Sequence, residues 1–158
     1  VTIRPLGAAD EPVWRKLWTG YLTFYESSVS EEVYESTFAR LLGDDPHDFH
    51  GLVAEVDGQV VGLVHFLFHR HGWRIENVCY LQDLYADPSA RGKGVAAALM
   101  RQIEDTAREE GVTVLKLETG NVLHAAHRLY ERHGFTTCGV FGDYVAAKSS
   151  IFMEKRLT

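Results

Sequence analysis

The residues with the clearest chemistry in this 158-residue chain are Arg91-Gly92-Lys93-Gly94-Val95-Ala96. Gly92 and Gly94 remove side chains, so backbone amides can approach an anion closely. A helical pattern starts directly after them, with Val95, Leu99, Ile103 and Ala107 four apart and Arg101, Glu104, Asp105 and Arg108 on the wet side. A helix start leaves its first N–H groups unpaired and carries the positive end of the dipole. Arg91 and Lys93 add charge. Together these residues describe a phosphate cradle; the other reading is a basic solvated turn before an ordinary helix. Neither common nucleotide motif fits. The G-x-x-x-x-G-K-[ST] spacing is missing, and G-x-G-x-x-G fails because Ala97 stands at its last glycine.

The elements around the loop follow from pattern. Val78 to Tyr85 reads as a strand entering it, broken at Asp87-Pro88. Upstream, Leu52–Val56 and Val60–Phe68 are β-branched and aromatic and flank Asp57-Gly58-Gln59, a strong hairpin signal. A turn near His71-Gly72 then leads to Val78, so three antiparallel strands precede the loop. Before them stand a short strand, Thr2–Arg4, and two helices. The first is capped by Asp10 and runs to about Tyr25, with Val13, Leu17 and Tyr21 as its stripe and Trp14 and Trp18 alongside. The second has Ser28 and Glu31 at capping-box spacing and ends near Gly43. After the loop helix, closed by Gly111, come a strand at Val112–Glu118, a helix carrying Leu123, Ala126, Leu129 and Tyr130, and strands at Phe135–Val140 and Ser150–Leu157. The order βααβββαβαββ predicts an α/β (α+β) domain. Its mixed, mostly antiparallel sheet holds a central parallel pair flanked by helices.

Composition bounds the class. The chain is 46% hydrophobic and carries a net charge of −6, which argues against nucleic acid as an obligate ligand. No stretch approaches the ~20 apolar residues that span a bilayer. The opening Val1-Thr2-Ile3-Arg4-Pro5 has neither a basic nor an apolar leader pattern, and Cys79 and Cys138 are the only cysteines. The expectation is a single cytoplasmic domain, residues 1–158, with reduced thiols.

Two motifs together resemble the GCN5-related N-acetyltransferase (GNAT) superfamily. Arg91 to Ala96 is similar to its R/Q-x-x-G-x-G/A signature, after a strand ending Leu84-Tyr85-Ala86-Asp87-Pro88. Ala126-His127-Arg128-Leu129-Tyr130-Glu131-Arg132-His133-Gly134-Phe135 resembles its A-x-x-L-Y-E-x-x-G-F segment. The element order matches the acyl-CoA N-acyltransferase fold from end to end. Cys79 to Ala86 and the aromatic first helix look like the histone/polyamine acetyltransferase branch.

The resemblance implies acetyl-CoA as co-substrate, with its pyrophosphate on the amides of residues 92 to 96 and charge from Arg91 and Lys93. The pantetheine arm would pair strand-like with the backbone around Leu84, Tyr85 and Ala86, and Asn121 is the nearest polar candidate for its amides. Tyr130, at the family's tyrosine position, becomes the candidate general acid for the departing thiolate. An ammonium acceptor must also lose a proton. The polyamine branch has a glutamate where this chain has Gln82, which cannot take one, so Glu76, Asp83 and Glu118 are the candidate bases. Asp83 is expected to point to the strand face opposite Gln82.

The remaining features carry less. His124 with His127 and His69 with His71 lack the carboxylate or thiolate company of a zinc site, so no metal is expected. Trp14, Trp18, Tyr21, Phe24 and Tyr25 are either core or an aromatic wall for a cationic acceptor. The expected activity is acetyl transfer to a primary amine by direct attack in a ternary complex. The acceptor is a small polyamine-like amine or a protein lysine or N-terminus, and a homodimer is plausible for this family. The alternative is a non-catalytic acyl-CoA sensor or scaffold of the same fold.

Overall fold

A computed structural model describes residues 1–120, 124–138 and 150–157 of the chain. Seven strands form one sheet in the order β1-β2-β3-β4-β5-β7-β6. They are β1 (Thr2–Pro5), β2 (His50–Val56), β3 (Gln59–His69), β4 (Val78–Ala86), β5 (Val114–Gly120), β6 (Thr136–Cys138) and β7 (Ser150–Arg156). Every neighbouring pair is antiparallel except β4 and β5. The parallel pair arises because β4 and β5 are joined by the crossover helix α3 (Val95–Glu109). The remaining helices are α1 (Glu11–Phe24), α2 (Glu31–Leu41) and α4 (His124–Arg132).

Two apolar clusters flank the sheet. One gathers Leu99, Met100 and Ile103 of α3 with Cys79, Leu81, Leu115, Leu117, Tyr130 and Phe135. The other gathers Trp14, Leu17 and Trp18 of α1 with Phe38 and Leu41 of α2 and Val53 and Leu63 of the sheet. The buried stripe of α1 is therefore Trp14, Leu17 and Trp18, with Tyr21 continuing it half-buried. It lies one position round from the expected Val13-Leu17-Tyr21 line, because the tryptophans are the residues that reach the sheet.

Local chemistry sets the element ends. Asp57 and Gly58 both have positive φ (52° and 77°), the two-residue hairpin turn that Asp-Gly favours. The cap of α2 is Ser30, not Ser28: Ser30 is extended and its hydroxyl accepts the Val33 N–H. Asp10 stands before α1, yet its carboxylate turns back to Arg4 and the Gly7 amide. β5 starts at Val114 rather than Val112, because the Val112 amide is spent on the Ala107 carbonyl in closing α3. Of the expected Phe135–Val140 strand, Thr136–Cys138 is strand, and residues 139 and 140 lie outside the described residues.

Candidate active site

The glycine loop hangs between β4 and α3. The Asp87 carboxylate accepts the Ser89 amide (2.9 Å) and hydroxyl (2.6 Å), shaping a single tight turn over Pro88–Ala90. Gly92 (φ +80°) and Gly94 (φ +73°) are left-handed, and no atom lies within 4 Å of a Cβ built on either. Their glycines are thus set by backbone angle, and the space before the amides is open. The first bond into the helix runs from Ala98 N–H to Gly94 C=O, so the amides of Val95, Ala96 and Ala97 have no carbonyl within α3. These donors, with exposed Arg91 and Lys93 beside them, suit a diphosphate. Gly62 of β3 holds the cradle close to the sheet, since a Cβ there would lie 2.6 Å from Val95 Cγ1.

The parallel pair opens next to this cradle. β4 and β5 share only the rungs Cys79↔Leu115 and Tyr80↔Lys116. Beyond them β4 stays with β3 out to Ala86↔Gly62, while β5 stays with β7 out to Gly120↔Ser150. The edge of β4 around Leu84, Tyr85 and Ala86 therefore faces a gap rather than a strand, and can take an extended, amide-bearing chain as a further strand. An acyl-pantetheine arm meets that description, and the diphosphate cradle sits at its end.

A bulge in β4 decides which side chains face that region. His65 pairs with Asp83 but Phe66 pairs with Leu81, so Gln82 is an extra residue. The strict alternation that would put Asp83 on the face away from Gln82 fails here. Both residues line one cavity of about 170 Å³ beneath α1 and α2, walled by Trp18, Val33, Leu41 and Phe49. Asp83 is buried. Its Oδ2 lies 2.7 Å from His65 Nδ1 and accepts Trp18 Nε1–H at 3.2 Å, while Trp14 Nε1–H donates to His65 Nε2 at 3.0 Å. Tyr21 donates its hydroxyl to the Gln82 carbonyl at 3.3 Å. Burial, then the Asp83 charge, holds the Tyr21 phenol well above its ordinary pKa.

Tyr130 lies on the other side of the sheet. Its ring packs in the α3-side cluster, edge-on to Phe135 at 5.8 Å. Burial raises its phenol pKa, and Tyr25 and Asp83, both on the α1 side, raise it further. The opening between β4 and β5 lets a residue of one layer feel charges of the other.

Asp83 therefore lies within electrostatic range of Tyr130, while Glu76 stands apart. Glu76 precedes β4 at the end far from the loop, roughly 20 Å along the strand from Asp83 at ~3.3 Å per residue. There it accepts the Thr113 hydroxyl at 3.1 Å and lies 3.6 Å from Arg74. Glu118 stands on the part of β5 past the last shared rung, opposite Phe152. Asn121 lies outside the described residues. Phe24 is 57% exposed and forms no cavity wall with Trp18. Among the described residues no three His, Cys, Asp or Glu side chains cluster as metal ligands. His65 carries little signal in the sequence. It is a histidine inside the apolar run Val60–Phe68, with an aspartate in the next strand.

The chain is 30% identical over 138 residues to the D-amino-acid N-acetyltransferase HPA3 of Saccharomyces cerevisiae, covering 87% of this chain and 86% of that one. It is 36% identical over 110 residues to an IAA acetyltransferase of Azospirillum brasilense, covering 70% and 69%. The solved ribosomal-protein-alanine N-acetyltransferase of Brucella melitensis superposes with a TM-score of 0.78 at 27% identity, over 99% of this chain and 100% of that one. Residues 14–135 match the model of the Acetyltransferase (GNAT) family. The chain therefore belongs to the GNAT family and is an acetyl-CoA-dependent N-acetyltransferase.

Proposed function

We propose that the protein transfers the acetyl group of acetyl-CoA to the primary amine of a small molecule, by direct attack while both substrates are bound. The observation that carries this reading is the buried Asp83 carboxylate, set in a small, mostly apolar cavity and within electrostatic reach of Tyr130. Asp83 attracts the ammonium and takes its proton, supplying the carboxylate that Gln82 cannot. The freed amine attacks the thioester carbon. As the C–S bond breaks, Tyr130 gives its phenolic proton to sulfur and recovers one from the nitrogen. Burial keeps that phenol protonated at neutral pH, as a proton donor requires. The amides from Gly92 to Ala96, with Arg91 and Lys93, hold the pyrophosphate, and the backbone of Leu84 and Ala86 pairs with the pantetheine arm. All 158 residues act as one domain.

A cavity of about 170 Å³ favours a compact amine over a protein lysine, and its one carboxylate favours a cation. Likeness to a relative named for D-amino acids makes amino-acid amines the first acceptors to try, followed by polyamines. The test is thiol release from acetyl-CoA on pooled acceptors: D- and L-amino acids, alkylamines and polyamines, and peptides with a free N-terminus or lysine. Release on a small-amine pool supports the reading. Release only on peptides overturns the small-molecule assignment, and binding of acetyl-CoA without release on any pool is the behaviour of a sensor.

A further inference from the structure

The indole N–H of Trp14 can only donate. At 3.0 Å it points at His65 Nε2, which must therefore present its lone pair. A doubly protonated ring would set two N–H groups against each other there. The ring's single proton then belongs on Nδ1, 2.7 Å from Asp83 Oδ2, and is donated to the carboxylate. The indole that imposes this is itself immobilised: Trp14 is fully buried, stacked on Trp18 at 5.1 Å and packed on Phe38 at 5.0 Å. His65 is 3% exposed, and its ring lines the same cavity as Asp83.

Asp83 Oδ2 accepts from two donors, His65 Nδ1–H and Trp18 Nε1–H. That uses the two lone pairs of one carboxylate oxygen. Any N–H of an arriving amine is then left to Oδ1, in a carboxylate that the Tyr21 hydroxyl also contacts. The carboxylate is thus turned by a fixed relay, from Trp14 through His65 to Asp83, with no group in the relay that supplies a positive charge. The relay therefore takes away the carboxylate's rotational freedom.

We propose that His65 is a positioning residue for acetyl transfer, held by Trp14 in its Nδ1–H form so that it fixes Oδ2 of Asp83 and leaves Oδ1 to take the proton of the acceptor ammonium. This rests on Asp83 being the base. The proton passes from the ammonium nitrogen to Oδ1 and later to water, and His65 keeps its own proton throughout.

The first test needs no acceptor. Long-range proton–nitrogen spectra of the ¹⁵N-labelled full chain at pH 7 should show His65 neutral, protonated on Nδ1 and bare on Nε2. An Nε2–H form or an imidazolium would overturn the proposal. Trp14→Phe keeps a ring and removes the donor, and it should abolish that single-tautomer signature. The second test is kinetic, using the amine pool that gives thiol release. His65→Leu should lower kcat roughly tenfold or more, part of the ~10²–10⁴ that a general base supplies. The KM for acetyl-CoA should stay unchanged, and His65→Asn, which restores an N–H towards Asp83, should recover much of the loss. If His65→Leu fails to fold, Trp14→Phe carries the comparison, with the same fall in kcat expected. Asp83→Asn separates the two readings. An unchanged rate in Asp83→Asn removes Asp83 as base, and this inference with it. A slow Asp83→Asn beside a fast His65→Leu leaves the base standing and overturns the role of His65.

Discussion

Tyr80 and Lys116 face each other as the last rung between β4 and β5, and past them the two strands go separate ways. That single end of pairing gives β4 a free backbone edge and lets Tyr130, packed on the α3 side, come under the influence of Asp83 on the α1 side. Among the described residues this is the one parallel junction, and the proposed cofactor edge and the proposed acid and base flank it.

Tyr130→Phe keeps the ring against Phe135 and removes only the hydroxyl. The expected result is a fall in kcat of about 10²–10⁴, with calorimetric affinity for acetyl-CoA little changed. An unchanged kcat would remove Tyr130 as the acid.

The Tyr130 pKa is raised by burial first, then by Tyr25 and Asp83. The protonated phenol is the form the fold favours, so it persists through the ordinary tyrosine value of 10.0 and is lost only above it. Ultraviolet titration of wild type against Tyr130→Phe should show no difference in tyrosinate below that pH. A Tyr130 signal that titrates at or under 10.0 would contradict the burial argument.

Gly94 and Gly58 have nearly the same left-handed φ, +73° and +77°, and nothing within 4 Å of a Cβ. An alanine at either should cost about 1–2 kcal/mol of stability from backbone angle alone. Only Gly94→Ala puts a methyl in the space before the cradle amides, so only it should weaken acetyl-CoA binding. Equal affinity in the two variants would place the phosphate elsewhere.

Burial pushes the Cys79 thiol up to about 12 and also raises the half-buried Cys138. Neither is a ready nucleophile near neutral pH. Maleimide at pH 7 should leave Cys79 unlabelled in the folded protein, and intact mass after incubation with acetyl-CoA alone should show no acetyl adduct on either cysteine. A stable adduct there would replace direct attack with an acyl-enzyme.

Asp10 ties β1 to the start of α1. Its bonds to Arg4, at 2.7 and 2.8 Å, lower its carboxyl pKa below the ordinary 3.8 against the opposing effect of burial. A depressed carboxyl pKa contributes stability that is complete above the ordinary value and fades as pH falls through the depressed one. Asp10→Asn should therefore be less stable than wild type at pH 7, and the gap in denaturant midpoint should close below pH 3.8. A gap that persists in acid would mean that packing, not charge, carries the contribution.

Much of this protein was legible in its sequence because the signals are local. The Asp57-Gly58 turn, the four-residue spacing from Val95 to Ala107, and the glycines that set the loop's φ angles all act within a few residues. They determined the element order, the crossover and the left-handed glycine loop ahead of α3, and the motif around Tyr130 marked the family. What local pattern could not supply is register and separation between strands distant in the chain. The extra residue at Gln82 is visible only once β4 is laid against β3, and it breaks the two-residue alternation that assigned Asp83 to the wrong side. The parting of β4 from β5 depends on β7 holding β5 to its end. The contact of Trp14 with His65 joins residues 51 apart through the packing of α1 on the sheet. Residue types and short spacings marked which groups could do chemistry; packing joined Trp14, Trp18, His65 and Asp83 by hydrogen bonds, because burial and hydrogen bonding act across distances that no sequence spacing encodes.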